Sequence, residues 1–199
     1  GKTQLACALA AVALAGGGRP RAAVVDPPAS PCFGRTTPPP GDVFRFVNGA
    51  EPEALDPALL SGQSDGRIAQ ALFEGLVVQH PRTLEPVPGV AQAWDISPDG
   101  RTYTFHLRPV ARWSDGTRVT AFDFEWSWRR VLHPDTPSRY AGLFYLLRNG
   151  RAYKKREITD AALVGLRARD DSTLAVELEE PTPYFLQLLT SYAFLPVPR

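Results

Sequence analysis

Methionine is absent from this 199-residue chain, and cysteine occurs only at Cys7 and Cys32. Without methionine at position 1 the chain reads as a processed or partial product, and two cysteines are too few for a disulfide scaffold or a thiolate metal framework. Neither cysteine is assigned a catalytic role. Histidine is almost as scarce, and His80, His106 and His133 are not spaced as a metal cluster. No metal and no cofactor are expected. An excess of either charge is also missing: 22 basic against 21 acidic side chains give a net charge of +1 with no basic block, so no general field draws nucleic acid or an anionic membrane. No apolar run approaches the roughly 20 residues of a membrane span. What is present, 44% hydrophobic and 22% charged residues, describes an ordinary globular protein. Its length allows about one domain, or one and a half.

Residues 1–41 stand apart from the rest. Lys2 precedes the apolar run Leu5 to Ala15, which ends in Ala13-Leu14-Ala15, the pattern of a secretory signal. The other reading, a buried helix, meets an immediate break at Gly16, Gly17, Gly18 and Pro20. Leu5-Ala6-Cys7 has part of a bacterial lipidation site, although it sits early in the run, so free and lipid-tethered states both stay open. From Gly16 to Gly41 the chain carries seven of its twenty prolines and no hydrophobic period, which predicts an extended linker. The folded part is expected to begin near Asp42.

Beyond that point the local signals are clear. Phe44 to Val47 alternates like a short strand turned by Asn48-Gly49, and Ser64 is expected to cap a helix through Phe73. Thr102 to Leu107 places Tyr103, Phe105 and Leu107 on one side of a strand. The turn Ser97-Pro98-Asp99-Gly100 before it predicts a hairpin with Trp94 to Ile96. Thr120 and Asp123 open a helix that carries Phe122, Phe124, Trp126, Trp128 and Leu132 and stops at His133-Pro134. Ala162 to Ala168 and Thr173 to Leu178 read as a second hairpin around Asp170-Asp171-Ser172, and Pro181 to Pro183 starts a last helix. The four tryptophans could form a stacking platform, but their strand and helix positions favour core packing.

Taken in order, several stretches resemble a known family. They are Asn48-Gly49-Ala50-Glu51-Pro52 with Leu55-Asp56-Pro57, Leu72 to Leu76, Pro88 to Ala91 with Trp94, and Ser97 to Gly100. They continue through Thr102 to Arg108, Trp113-Ser114-Asp115-Gly116, Val119-Thr120-Ala121, Asp123-Phe124, Ser127-Trp128, Asp171, Thr173-Leu174, Pro181 to Phe185 and Pro196-Val197-Pro198. The whole is similar to the bacterial extracellular solute-binding proteins of the oligopeptide and dipeptide type, the receptors of ATP-driven importers. The resemblance implies an α+β, periplasmic-binding-protein-like fold in which a main lobe and a smaller inserted β-rich lobe with a helix close around a peptide. Residues 42–73 would begin the main lobe, and residues 74–199 would form the small lobe and turn back toward the main one. Because family members are longer, it also implies an N-terminal portion whose second large lobe lies beyond Arg199.

Such a receptor recognises without making bonds, hydrogen-bonding the peptide backbone and leaving side chains in hydrated pockets. Ser61, Gly62 and Gln63 match the family segment whose main chain meets the ligand. Read alone, Gly62 either turns the loop or admits close backbone approach. Tyr140 matches a small-lobe aromatic that faces the cleft, where a phenol covers ligand backbone and donates one hydrogen bond. The implied partners are a peptide ligand and the membrane permease of an importer, with no nucleic acid, and the receptor is expected to be exported and monomeric. Nickel chelate or haem, the guests of some relatives, stay open beside peptide.

No catalytic role is expected. Asp123 with Glu125, and Glu177 with Glu179 and Glu180, could be paired carboxylates for glycoside hydrolysis, yet helix capping and exposed strand edges account for them. Gly16 to Gly18 lacks the Gly-Lys-Ser/Thr of a phosphate loop. The alternative from another class is a noncatalytic extracellular β-rich interaction module made of the small lobe alone.

Overall fold

The computed structural model describes residues 46–199, of which Asn48–Arg199 form one compact unit. The signal-like run, the linker, both cysteines and Phe44-Arg45 lie outside the described residues. Phe46 and Val47 carry no regular structure, so no strand forms on that half of the expected segment.

The first element, α1, spans Gln63–Leu72. Its N-cap is Gly62 and Ser64 lies inside it, which corrects the expected cap. The reason is Asp65: its buried carboxylate accepts from the amides of Glu53 and Ser61, each at 3.2 Å, and folds the preceding loop onto the first turn. A two-stranded ribbon follows, β1 Val77–Gln79 against β2 Pro86–Pro88. The main sheet has four antiparallel strands, β3 Ala91–Ile96, β4 Thr102–Leu107, β5 Leu166–Asp170 and β6 Thr173–Glu177, in the order β3-β4-β6-β5. In β4 the buried residues are Tyr103, Phe105 and Leu107, as the alternation requires. The turn into β4 closes with Gly100 donating to the Ser97 carbonyl at 2.9 Å; Gly100 has φ +69, which favours glycine.

Helix α2, Ala121–Leu132, packs against β5 and β6. A capping box joins Thr120 and Asp123, whose carboxylate accepts from the Thr120 amide at 2.7 Å and hydroxyl at 2.9 Å. After it come a 3-10 helix at Ala141–Leu146, the short α3 at Gly150–Lys154 and a second 3-10 turn at Ala161–Leu163. That turn replaces the start of the strand expected from Ala162, because the Asp160 carboxylate accepts from the Ala162 amide at 2.8 Å and curls the chain. The last elements are α4, Phe185–Leu188, and a 3-10 turn at Tyr192–Phe194.

The larger hydrophobic core lies between sheet and helices around Trp128, which is fully buried. Its indole meets Phe124, Phe144 and Phe194 edge to face at 6.4, 5.8 and 5.3 Å, and its N–H donates to the Phe194 carbonyl at 3.0 Å. Trp94 and Trp113 pack against the same core. Trp126 departs from the expected core packing: it is 39% exposed, with the Arg130 guanidinium 5.7 Å from its ring centre. A smaller cluster joins Leu60 and Ala69 to Leu195, near the other end of the described chain.

Candidate functional site

The loop into α1 is held by charge. Asp56, in the Leu55-Asp56-Pro57 turn, accepts two bonds from Arg130 of α2, Nη1 to Oδ1 at 2.8 Å and Nη2 to Oδ2. Hydrogen bonding to that guanidinium holds the Asp56 carboxyl below the usual carboxylate range. Asp65 ties the same loop at Glu53 and Ser61. Between these two anchors the chain presents Ser61, Gly62 and Gln63. The Ser61 hydroxyl donates to Glu53 at 3.2 Å. Gly62 has φ −153, extended backbone open to any residue, so turning the loop does not explain a glycine there. A β-carbon at Gly62 would meet only the Ser64 hydroxyl, at 3.8 Å; the backbone is approachable on that side. Gln63 is exposed, and the first amides of α1 have no carbonyl four residues back within the helix.

Tyr140 comes from the other direction, just ahead of the Ala141–Leu146 turn, and is half-buried. Its approach is fixed by Lys154 of α3, whose ammonium donates to the carbonyls of Val131, His133 and Thr136 at 3.4, 2.8 and 2.6 Å. One cation thus satisfies the C-terminal end of α2 and steers the loop that leads to Tyr140. Burial pushes the Lys154 amine down from its ordinary value.

Tyr192 joins the two halves. Its ring lies against Gly66, one turn into α1, where any side chain would collide with it. The ring also stands at 88° to that of Tyr140 with centres 5.4 Å apart, and its hydroxyl donates to the Tyr140 hydroxyl at 2.7 Å. Burial pushes the Tyr192 phenol up to about 12, with the Tyr140 bond and the negative charge of Asp65 adding to the rise. The four residues singled out in the sequence therefore stand on two elements that Tyr192 connects. Asp65, Lys154 and Tyr192 were not singled out. Asp65 had a local signal, an acidic residue three positions after the N-cap; the other two depend on partners far away in the chain. Two shallow surface recesses, one lined by His133, Pro134 and Tyr153 and the other by Gln92, His106 and Arg118, contain none of the four residues.

The carboxylates considered for hydrolysis have other duties. Asp123 caps α2, and Glu125 pairs with Arg129 at 2.9 Å. Glu177 meets Arg148 at 2.8 Å, Glu179 accepts from the Asn149 amide at 2.7 Å and Glu180 meets Arg101 at 2.8 Å. His106 is hydrogen-bonded to Asp95 at 2.8 Å on the exposed side of its strand.

Comparison with known proteins adds a separate line of observation. The family model for bacterial extracellular solute-binding proteins, family 5 Middle, matches residues 85–198. The periplasmic oligopeptide-binding protein OppA of Escherichia coli K12 is 44% identical over 161 residues, covering 76% of this chain and 28% of that protein. The dipeptide-binding protein DppE of Bacillus subtilis is 37% identical over 160 residues, covering 79% of this chain and 29% of its own length. Among solved structures, Haemophilus influenzae OppA in complex with RPPGFSPFR is similar with a TM-score of 0.72 at 38% identity, over 76% of this chain and 29% of that one. The murein tripeptide binding protein MppA of E. coli is similar with a TM-score of 0.71 at 41% identity, over 74% and 29%. The chain spans little more than a quarter of the length of the curated relatives it matches, 28% of the first.

Proposed function

This chain belongs to the family 5 bacterial extracellular solute-binding proteins, and we propose that it is part of an importer receptor that captures oligopeptides or dipeptides and hands them to a membrane permease. Its mixed helix-and-sheet fold is that of the periplasmic peptide-binding proteins. The observation that carries the reading is the likeness, in both sequence and backbone, to a receptor solved with a peptide bound. The chain is the N-terminal portion of such a receptor. Residues 42–73 begin the main lobe, and residues 74–199 supply the small lobe and the return. The packing of Leu195 with Leu60 and Ala69, apart from the core around Trp128, supports the return of the chain toward the opening segment.

Binding in this reading is noncovalent. The open backbone at Ser61, Gly62 and Gln63 meets the peptide main chain, and the Tyr140 phenol covers it and donates one hydrogen bond. The receptor is exported to the periplasm or cell envelope, works as a monomer and performs no catalysis, in keeping with the structural duties of its carboxylates. A self-contained β-rich module would leave unexplained an identity that extends over 161 residues.

The test is a thermal-shift titration of the complete gene product with di- and tripeptides. Ligand at a hundredfold excess over Kd stabilises the folded state by about 2.7 kcal/mol, which raises Tm measurably. An unchanged Tm at saturating peptide counts against the proposal.

A further inference from the structure

We propose that Tyr192 is a positioning residue for peptide capture: it holds the Tyr140 ring in place against α1 and occupies an acceptor position of the Tyr140 hydroxyl, leaving that hydroxyl's hydrogen for the ligand. The inference rests on Tyr140 being a ligand contact and names what prepares it.

A phenol oxygen both donates and accepts. Left alone in a wet cleft, Tyr140 would share its hydrogen with whatever water or carbonyl lay nearby. Tyr192 removes part of that freedom, because its hydroxyl donates to the Tyr140 oxygen at 2.7 Å. The direction of donation follows from the surroundings. Among the described residues, the acceptor that the half-buried Tyr192 hydroxyl reaches is the Tyr140 oxygen. Tyr140 is then the acceptor in the pair, and its own hydrogen points elsewhere. A peptide carbonyl is the neutral acceptor found along every peptide, so the arrangement suits a receptor indifferent to side chains.

The same ring also sets distance. Tyr192 is seated on Gly66, and Gly66 donates its amide to the carbonyl of Gly62 at 3.0 Å. Tyr140 is thereby registered, through one aromatic ring, to the turn of helix that begins at the candidate backbone contact. A group misplaced by a fraction of an ångström loses much of a directional hydrogen bond. Asp65 serves both sides of this joint, accepting from the Ser61 amide while its charge acts on Tyr192.

Two measurements test the proposal. Tyrosines labelled at the ring carbon bearing oxygen are titrated by NMR in the wild-type chain and in Tyr140→Phe, with no ligand present. The Tyr192 ionisation is expected to move from about 12 toward the ordinary phenol value when the acceptor is removed. An unmoved Tyr192 overturns the hydroxyl pairing. The second measurement is trialanine binding to the complete gene product carrying Tyr140→Phe, Tyr192→Phe or both. Tyr192→Phe keeps the ring on Gly66 and deletes only the hydroxyl, so Tm should hold while trialanine affinity falls about fivefold, the usual scale of one neutral hydrogen bond. The double variant should lose little more than Tyr140→Phe alone. If Tyr140→Phe weakens trialanine and Tyr192→Phe does not, the positioning role is refuted and the contact survives. If Tyr140→Phe binds as wild type, the contact itself is refuted, and this inference with it.

Discussion

The body built on the four-stranded sheet and the segment from Asn48 to Phe73 are held by different forces. Around Trp128 the sheet body buries phenylalanine, leucine and valine from both sequence halves, and direction matters little because apolar attraction is proportional to area. The opening segment contributes few such residues, Ala58 to the large core and Leu60 and Ala69 to the small one, while Leu55 and Leu72 remain half exposed. It is held instead by named polar ties: Asp56 to Arg130, Asp65 to two amides, and Gln70 to the Thr190 carbonyl at 3.5 Å. A region held by area fails as a whole; one held by directional bonds fails at a tie.

The largest effect should come from breaking the first kind of support. Trp128→Ala removes the central indole and is expected to cost about 3–5 kcal/mol in urea unfolding, with sheet and helix signals lost together. Sheet signals that outlast the helices would end the description of one cooperative body. Next in size is Gly66→Ala, which drives a methyl group into the Tyr192 ring for about 1–3 kcal/mol. Hydrogen exchange should rise in α1 and leave β3 to β6 protected; equal loss in both would erase the contrast.

Asp56→Asn sharpens the comparison through pH. Arg130 lowers the folded pKa of Asp56 below its ordinary 3.8. The unfolded carboxyl then binds protons more readily than the folded one, so the tie's contribution is complete above that ordinary value and fades as pH falls through the lower, folded value. Both side chains are roughly a third exposed, which keeps the cost near about 1 kcal/mol at neutral pH. The variant should flatten the acid limb of stability below pH ~4, and an identical limb would show that the tie is idle. The smallest change is Trp126→Ala, about 0.5 kcal/mol for an exposed cation over a ring. A loss of several kcal/mol there would place Trp126 in the core after all.

The same contrast governs what could be read from the amino acids alone. Alternation in β4, the Ser97 to Gly100 turn and the Thr120–Asp123 box are local, and each is found where the pattern puts it. The start of the second hairpin was misread because Asp160 outweighs a run of apolar residues by bonding its own neighbouring backbone. Strand β2 carries two prolines in three residues and gave no strand signal. Trp126 and Trp128 look alike in sequence, and only the placement of α2 on the sheet separates the buried one from the exposed one. At the candidate site the resemblance pointed to Ser61, Gly62, Gln63 and Tyr140. The joint between them was illegible, since Tyr192 meets Tyr140 from 52 positions away and Lys154 gathers carbonyls 18 to 23 positions upstream.

The meeting of Leu60 and Ala69 with Leu195 carries a mechanical consequence. The chain that leads into β1 and the chain that follows α4 meet there, so one small apolar cluster holds two stretches more than 120 residues apart. Parting these three side chains would therefore release the segment that precedes β1 and the last described residues together.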